Sequence, residues 1–455
     1  MSPSVLKWGP AAFCFAVTLV YSLLFHFRAP FYDHWELIPS YAKYQDGTLR
    51  LSELFELHNA HWHASGHIVQ LALSNFTSMQ HWPLALVSVV SAGLGFLALA
   101  RILDRSIKAF DVSSATFWVF GCSALFLFSL DQASNWLWGW QISVFISAAG
   151  VLWTIERLTS GAPTITNTAI AVFATAAAIY GFATSWMLIP IGFVLLVFSG
   201  AFQSWRGWVS LALWSVLTVL LLWHFSLALT ETRIQHVEEH MPSSMDLASV
   251  FGLIHYTSNF IASPVARFVR DAASIATLLG FALLAWSIWT LWRIEGHRAW
   301  RAMTPFLAMV VYSIGAGFLT ALGRYQVFDT VQAFSSRYIT FASFFWIAVL
   351  SLSVFAILKA RPLKNRAWVG LVGLLIVLKL GNIPGIAVKS VVRSYEVRAA
   401  AVLLAETYPN TPPEQYTALH APQQRIESRL DILMAHRASL FAGSGNRLAE
   451  PEAQE

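Results

Sequence analysis

Long apolar segments, separated by short polar connections, recur along nearly the whole chain. A helix of about 20 apolar residues spans the hydrocarbon core of a bilayer, and somewhat shorter helices suffice where the bilayer thins. The pattern therefore predicts an all-α, polytopic bundle of eleven transmembrane helices, of which the fourth and fifth are short. The predicted spans are residues 8–27, 82–103, 115–130, 142–155, 167–181, 184–199, 208–229, 274–292, 303–322, 338–358 and 367–380.

The composition agrees with this pattern. Hydrophobic residues make up 56% of the chain and charged residues 12%, whereas charged residues are roughly 25% of a typical soluble domain. The net charge of +5 comes from short clusters between apolar segments and not from a continuous basic stripe, so we expect no nucleic-acid partner. Cys14 and Cys122 both lie in apolar segments, which argues against a disulfide framework. We therefore predict one transmembrane domain over residues 1–383, with the lipid bilayer as its partner.

Among the short connections, Lys and Arg residues are concentrated in alternate ones, as the positive-inside rule expects for a multi-pass protein. With a cytoplasmic N-terminus, the connections after the even-numbered spans carry them, and the connection 131–141 carries none. The first span is followed by Phe25-His26-Phe27-Arg28 and not by a small-x-small cleavage site, so it is expected to be an uncleaved anchor. The polar C-terminal region 384–442 is then expected outside, and residues 443–455 are expected to be disordered.

The first outer connection, residues 28–81, holds most of the candidate chemistry. Asp33 follows the first span closely, which would place it near the bilayer surface. Two amphipathic, membrane-parallel helices are predicted after it, over 36–44 and 52–57, the second capped by Ser52. From spacing alone, Asp33 is more simply read as a solvated loop acid or a helix cap than as a catalytic group.

A histidine cluster follows in the same connection. Spacings of three and four residues would place His58 with His61, and His63 with His67, on common faces of a helix. A catalytic zinc site normally needs a third protein ligand, which Glu36 or Asp33 could supply. Histidines that hydrogen-bond a substrate or lipid headgroups are the alternative, and we favour it.

Two further motifs lie in the later outer connections. Arg324 and Arg337 flank a short outer connection. A guanidinium group there can bind a phosphate through two hydrogen bonds, or it can simply extend to the lipid headgroups. The tryptophans at 136, 138 and 140 are most simply an interfacial aromatic belt, although tryptophan also stacks on sugar rings. The centres of the predicted spans contain no Asp, Glu, Lys or Arg, which weakens the case for an ion-coupled transporter.

Taken in order, these motifs resemble the GT-C glycosyltransferases, and more narrowly a bacterial GT-C-type group. Several short motifs, spread over most of the chain, carry the resemblance. They are Asp33-His34-Trp35, Gly47-Thr48-Leu49, Leu54-Phe55, His58-Asn59-Ala60-His61-Trp62, Asn135-Trp136-Leu137-Trp138-Gly139-Trp140-Gln141, Gly323-Arg324 and Ser335-Ser336-Arg337-Tyr338. The chain departs from that group at His34, where a second acidic residue is expected, and at Ala60 and Trp62, where Glu and Arg are expected.

The resemblance implies a GT-C-like fold in the bacterial inner membrane and an inverting hexosyl or pentosyl transfer on the extracytoplasmic face. The donor would be a polyprenyl-phosphate-linked sugar, and the acceptor a hydroxyl of a glycan, lipid or protein. No cofactor is expected, with a divalent metal as the weaker alternative. The implied roles are catalysis by Asp33 and Glu36, donor-phosphate binding by Arg324, Arg337 and Tyr338, and substrate binding by His34, Trp35, His58, His61, Asn135, Trp136, Trp138 and Gln141.

Two other functions fit the same sequence. A transporter or flippase of lipid-linked sugars would use the same arginines and tryptophans but would need no base on the first connection. Internal repeats, which transporters often contain, are not evident in the chain. A non-catalytic partner in envelope polysaccharide assembly is the third alternative.

Overall fold

The computed structural model describes residues 3–58, 62–231, 246–360 and 366–442, and every regular element in these ranges is helical. Sixteen α-helices are described, numbered in chain order. They are α1 Pro3–Phe25, α2 Leu37–Gln45, α3 Ala64–Thr77, α4 Trp82–Phe110, α5 Thr116–Leu127, α6 Ala133–Leu137, α7 Ile142–Leu158, α8 Ile165–Ile179, α9 Leu188–Phe198, α10 Trp205–Glu231, α11 Leu247–Ala266, α12 Ala273–Glu295, α13 His297–Arg324, α14 Ser336–Lys359, α15 Arg366–Thr407 and α16 Gln423–Ala435.

All eleven predicted spans fall on helices, but only eight helical segments in the described ranges are long and apolar enough to cross a membrane. These eight indicate a multi-pass membrane protein. The predicted fourth, fifth and sixth spans lie on α7, α8 and α9, which have 17, 15 and 11 residues. At 1.5 Å per residue, these helices are shorter than a hydrocarbon core of about 30 Å.

Ion pairs gather at one end of the bundle, which we call the basic end. Lys7 at the start of α1 lies 2.6 Å from Asp104 near the end of α4. The buried Glu156 of α7 contacts Arg101, Arg105 and Arg157. Lys359 of α14 pairs with Glu295 of α12 at 2.7 Å. The Ser106 hydroxyl of α4 donates to the Ala302 carbonyl of α13 at 3.1 Å, so α4 and α13 also meet at this end. The predicted inner connections therefore meet at one end of the bundle.

The first connection and the C-terminal region meet at the opposite end, which we call the site end. Arg425 of α16 pairs with Glu36 at 2.7 Å. The Ser439 amide donates to the Ser78 carbonyl at 2.7 Å, and the ring of His420 stacks on Tyr32 at 4.8 Å. The residues after α15 thus cover the residues that follow α1.

The predicted span 367–380 is only the first part of helix α15. The helix continues without a break to Thr407 and contains 42 residues, a length of roughly 63 Å at 1.5 Å per residue. This is about twice the hydrocarbon thickness, so the helix extends beyond a bilayer at the site end. The polar residues after Leu380 mark the end of the apolar stretch and not the end of the helix. Residues 443–455, predicted to be disordered, lie outside the described ranges.

Two local predictions can be compared with the structure. Ser52 does not cap a helix, because residues Leu51–Phe55 form a 3-10 turn whose start is held by Glu53. The Glu53 carboxylate accepts a hydrogen bond from the Arg50 amide at 3.0 Å and pairs with Lys43 at 2.6 Å. The sequence also predicts an interfacial helix over residues 246–261 of the outer connection; α11 lies there and has 20 residues, four more than predicted, with the Asp246 carboxylate accepting from the Ser249 amide at 2.8 Å.

The separation of the basic end from the site end predicts which positions are accessible from each side of the membrane. In a background lacking Cys14 and Cys122, single cysteines at exposed Asp46, Gln326 and Glu414 should react with an impermeant maleimide in intact cells. A cysteine at Lys364 should react only after the cells are permeabilised. Labelling of the Lys364 position in intact cells would overturn the orientation, whereas unequal labelling of Asp46 and Glu414 would contradict the packing at the site end.

Candidate active site

Asp33 lies in a short 3-10 helix, Tyr32–Glu36, that follows α1 directly. The Phe27 amide donates to the Leu137 carbonyl at 2.9 Å, which ties this segment to α6. Phe31 and Trp35 are buried on either side of Asp33, at 7% and 0% exposure. Because its neighbours are packed into the protein, the half-buried Asp33 carboxylate is held in one place at the site end.

Positive charge surrounds this carboxylate. Burial raises the pKa of Asp33, but His58 and the charges of Arg337 and Arg324 act in the opposite direction and hold the pKa below its ordinary value. The His58 Nε2 atom lies 3.8 Å from the Asp33 Oδ1 atom, an ion-pair distance longer than a hydrogen bond. Asp33 is therefore ionised at neutral pH, which is the state that a general base requires.

Arg324 and Arg337 approach this site from two helices. Arg324 is the last residue of α13 and Arg337 lies in the first turn of α14, and both side chains are half-buried. Their guanidinium groups lie over aromatic rings, at 5.5 Å from Phe328 and 5.6 Å from Tyr338. Among the described residues, no carboxylate comes within ion-pair distance of either one. Two half-buried cations of this kind can bind a phosphate.

The start of α14 is held in place by the tryptophan-rich segment. The Asn135 amide donates to the Ser336 carbonyl at 2.7 Å and to the Thr340 hydroxyl at 3.2 Å. Arg267, at the end of α11, donates to the Ser336 hydroxyl at 3.2 Å. Asn135 is 2% exposed, so it positions the turn that carries Arg337 and does not face solvent.

A buried ion pair lies beneath this network. Asp131 and Lys379 are both 0% exposed, and the Lys379 ammonium donates to the Asp131 carboxylate. Arg267 donates to the backbone carbonyl of Asp131. The centres of the predicted spans contain no charged residue, but a predicted loop residue and a residue at the end of a predicted span meet as an ion pair inside the protein.

The three tryptophans of the segment have different environments. Trp136 is 1% exposed and stacks on Phe145 at 3.9 Å, and Trp140 is 3% exposed. An interfacial belt is therefore wrong for these two, because both rings pack inside the protein. Trp138 is half-buried and lies 5.8 Å from Tyr32, beside Asp33. It is the one of the three whose ring can reach a sugar. Gln141 is buried, at 4% exposure.

Histidines pack around the Trp140 ring, with centroid distances of 4.8 Å for His67, 4.9 Å for His63 and 5.5 Å for His58. Burial lowers the pKa of His34 to about 4 and, together with the charges of His58 and His34, that of His67 to about 3. His34 is 1% exposed. His61 lies outside the described residues. Within the described ranges, no group of three His, Cys, Asp or Glu side chains could hold a metal ion.

Glu36 faces away from this arrangement. Its carboxylate pairs with Arg425 at 2.7 Å and lies 3.8 Å from Arg429, both on α16. The two arginines are four residues apart on one helix face, a sequence signal that could have indicated an acidic partner. Sequence reasoning also missed Tyr256, whose hydroxyl donates to Gln332 at 2.8 Å and so fixes the connection between Arg324 and Arg337.

An apolar cavity of about 780 Å³ is lined in part by Tyr325, the residue after Arg324. Residues of α11, α12 and α13 line it, among them Phe251, Phe281, Phe318 and Tyr325. Phe251 is 63% exposed and Phe318 44% exposed, so the cavity opens to the outside of the bundle. A hydrocarbon chain could enter it sideways from a bilayer.

No known protein family, curated protein or solved structure matches this chain.

Proposed function

We propose that the chain is a membrane glycosyltransferase that moves a sugar from a polyprenyl-phosphate donor to an acceptor hydroxyl. The observation that carries the proposal is the position of Asp33, an ionised, half-buried carboxylate beside His58 and in the field of Arg324 and Arg337. A base in the field of two arginines that have no carboxylate partner among the described residues matches a reaction in which a hydroxyl loses its proton and a phosphate leaves. We place the reaction on the extracytoplasmic face of a bacterial cytoplasmic membrane.

In the proposed reaction, Asp33 takes the proton of the acceptor hydroxyl as that oxygen attacks the anomeric carbon from the face opposite the phosphate. The bond between the anomeric carbon and the phosphate oxygen breaks, and the configuration inverts. Polyprenyl phosphate leaves with the electron pair, and Arg324 and Arg337 stabilise the negative charge on its oxygen. No metal is needed for this balance of charge.

The apolar cavity supports the placement of the donor. Residues of α11, α12 and α13 line it together with Tyr325, the residue after Arg324. A prenyl chain in this cavity would bring its phosphate to the guanidinium groups. Trp138, half-buried beside Tyr32, would then stack on the sugar or the acceptor.

The buried pair of Asp131 and Lys379 favours the runner-up function, a transporter of lipid-linked sugars. Ionisable groups inside a membrane bundle often mark ion or proton paths. A transporter would carry the intact lipid-linked sugar across the bilayer, whereas a transferase would cleave it. The products formed from a labelled donor by purified protein distinguish the two.

Replacing either arginine tests the donor site. Arg324→Ala and Arg337→Ala should each weaken donor binding by roughly 10- to 100-fold, since hydrogen bonds to charged groups contribute about 1.5–3 kcal/mol. Lysine at either position should restore binding only in part, because an ammonium cannot form the planar fork. The measurement is the donor concentration at half-maximal rate. Arg270→Ala is the matched control, an exposed arginine at the same end. Unchanged donor binding in both variants would remove the arginines from the site.

Removal of divalent ions gives a separate prediction. Chelation should leave transfer largely intact, because the proposed leaving-group stabilisation comes from Arg324 and Arg337. The measurement is the transfer rate after dialysis against a chelator, with and without added magnesium, manganese or zinc. A fall to background that one ion restores would assign a metal to the site and return His58 and His61 to the role of ligands.

A further inference from the structure

A second cavity, of about 680 Å³, lies at the site end on the other side of the first connection. It is bounded by the end of α1, the start of α4, the outer half of α15 and the turn Ser439–Phe441. Its polar lining includes His26, Arg28, His81, Arg398 and Glu406. None of these residues takes part in the proposed transfer.

Two arginines supply the charge of this cavity. Arg28 is exposed, and Arg398 is half-buried and donates to the Leu24 carbonyl at 3.4 Å. The Nε atom of Arg398 is buried and has no hydrogen-bond partner among the described residues. An unsatisfied buried N–H of a guanidinium group is costly, which favours an occupant that can accept a hydrogen bond.

His26 does not contribute to the positive charge of this cavity. Burial, together with the positive charges of Arg28 and Arg398, lowers the pKa of His26 against the effect of its hydrogen bond to the Leu23 carbonyl. The ring is therefore neutral at pH 7. The cavity presents two cations and one exposed carboxylate, that of Glu406, so it carries a net positive charge.

The remaining lining is apolar and continues onto exposed apolar side chains of α1 and α15. Leu23, Ala401, Val402, Ala405 and Leu440 line the cavity. Val402 is 51% exposed, and Leu24 and Tyr395 on the same two helices are 58% and 55% exposed. A hydrocarbon chain can therefore lie along α1 and α15 while a polar headgroup occupies the cavity.

We propose that this cavity binds an amphiphile with a phosphate-bearing, anionic headgroup, held by Arg28 and Arg398. The site is distinct from the Asp33 site, because His81 forms its inner wall and the ring of His81 lies 4.8 Å from that of His34, the residue after Asp33. Two buried rings thus separate the headgroup from the Asp33 carboxylate. The proposal holds whether or not the chain transfers sugars.

The test is lipid binding by the full-length protein in a neutral detergent, followed by native mass spectrometry. Phosphatidate and phosphatidylcholine with identical chains are titrated, together with inorganic phosphate alone. Phosphatidate should bind best, and the double variant Arg28→Ala/Arg398→Gln should lower its affinity about 30-fold, since each cation near a lipid surface contributes about fivefold. Glutamine keeps a donor for the Leu24 carbonyl, which protects the fold.

The control variant Arg298→Ala/Arg301→Ala removes the same charge from exposed positions at the basic end and should leave affinity unchanged. Ala405→Phe fills the apolar part of the cavity and should weaken phosphatidate binding without changing any charge. Equal losses in both double variants would show non-specific attraction and overturn the site. Binding of inorganic phosphate as tight as that of phosphatidate, or tight binding retained in Ala405→Phe, would contradict an amphiphile as the occupant.

Discussion

Asp33→Asn is expected to lower the rate of sugar transfer by about 100- to 10,000-fold, the usual cost of losing a general base. The amide keeps the size and hydrogen-bonding capacity of the side chain but cannot accept the proton. Asp33 is half-buried, and its carboxylate accepts no hydrogen bond from a backbone amide of the described residues, so folding should be unaffected. The rate is measured per folded protein, as judged by gel filtration in detergent.

Glu36→Gln is the matched control for this variant. Glu36 lies three residues further on, in the same turn, but its carboxylate pairs with Arg425 and Arg429. This change should loosen α16 and leave the chemical step within a few-fold of its normal rate. Near-normal transfer by Asp33→Asn would exclude Asp33 as the base and make Glu36 the remaining candidate. Normal transfer with both residues neutralised would refute the mechanism.

Asp131→Ala is expected to lower the free energy of unfolding by about 3–5 kcal/mol, because it leaves the Lys379 ammonium buried without a counter-ion. Both side chains are fully buried, so water cannot replace the lost partner without rearrangement. The double variant Asp131→Leu/Lys379→Met removes both charges and should recover most of this loss, since apolar replacements of a buried pair are often neutral. Denaturant titration of the purified protein in detergent measures the difference.

The same pair of variants bears on the choice between transferase and transporter. In a transferase, the double variant should retain transfer, because Asn135 and Arg267 still hold the start of α14. Full stability together with complete loss of activity would instead assign the pair a role in moving protons or ions. An unchanged stability in Asp131→Ala would show that Lys379 is not confined to a dry interior.

The positions of the helices could be predicted from the sequence because their signal is local. An apolar stretch must be helical in a bilayer, where every backbone group needs an internal partner. All eleven predicted spans accordingly fall on helices. The length of α15 could not be predicted from hydropathy, since the pattern ends at Leu380 while the helix continues through polar residues to Thr407.

The surroundings of the site depend on contacts between residues that are distant in the chain. Asp33 and His58 could be proposed as neighbours because they share one connection. The approach of Arg324 and Arg337 to Asp33 depends on packing between α13, α14 and the first connection. The partner of Glu36 could not be predicted, because Arg425 of α16 lies almost 400 residues later and nothing in the sequence around Glu36 indicates this contact.

Burial of the tryptophan-rich segment was the other feature that the sequence could not predict. Tryptophans between two spans have the same composition whether they lie at the headgroups or inside the bundle. Two contacts hold the segment inside the bundle. Asp131 forms an ion pair with Lys379, and Asn135 donates a hydrogen bond to the start of α14. A short polar connection without Lys or Arg fits both positions.

In the proposed reaction, Asp33 activates the acceptor hydroxyl that displaces polyprenyl phosphate from the sugar of a polyprenyl-phosphate sugar. The most direct measurement uses a panel of such donors, labelled in the sugar, with purified protein in proteoliposomes and a cell-envelope extract as the source of acceptors. We expect free polyprenyl phosphate and label in a new product with wild-type protein, and neither with Asp33→Asn. Label that crosses the bilayer still attached to its lipid, or cleavage that is as fast in Asp33→Asn/Glu36→Gln as in wild-type protein, would refute this mechanism.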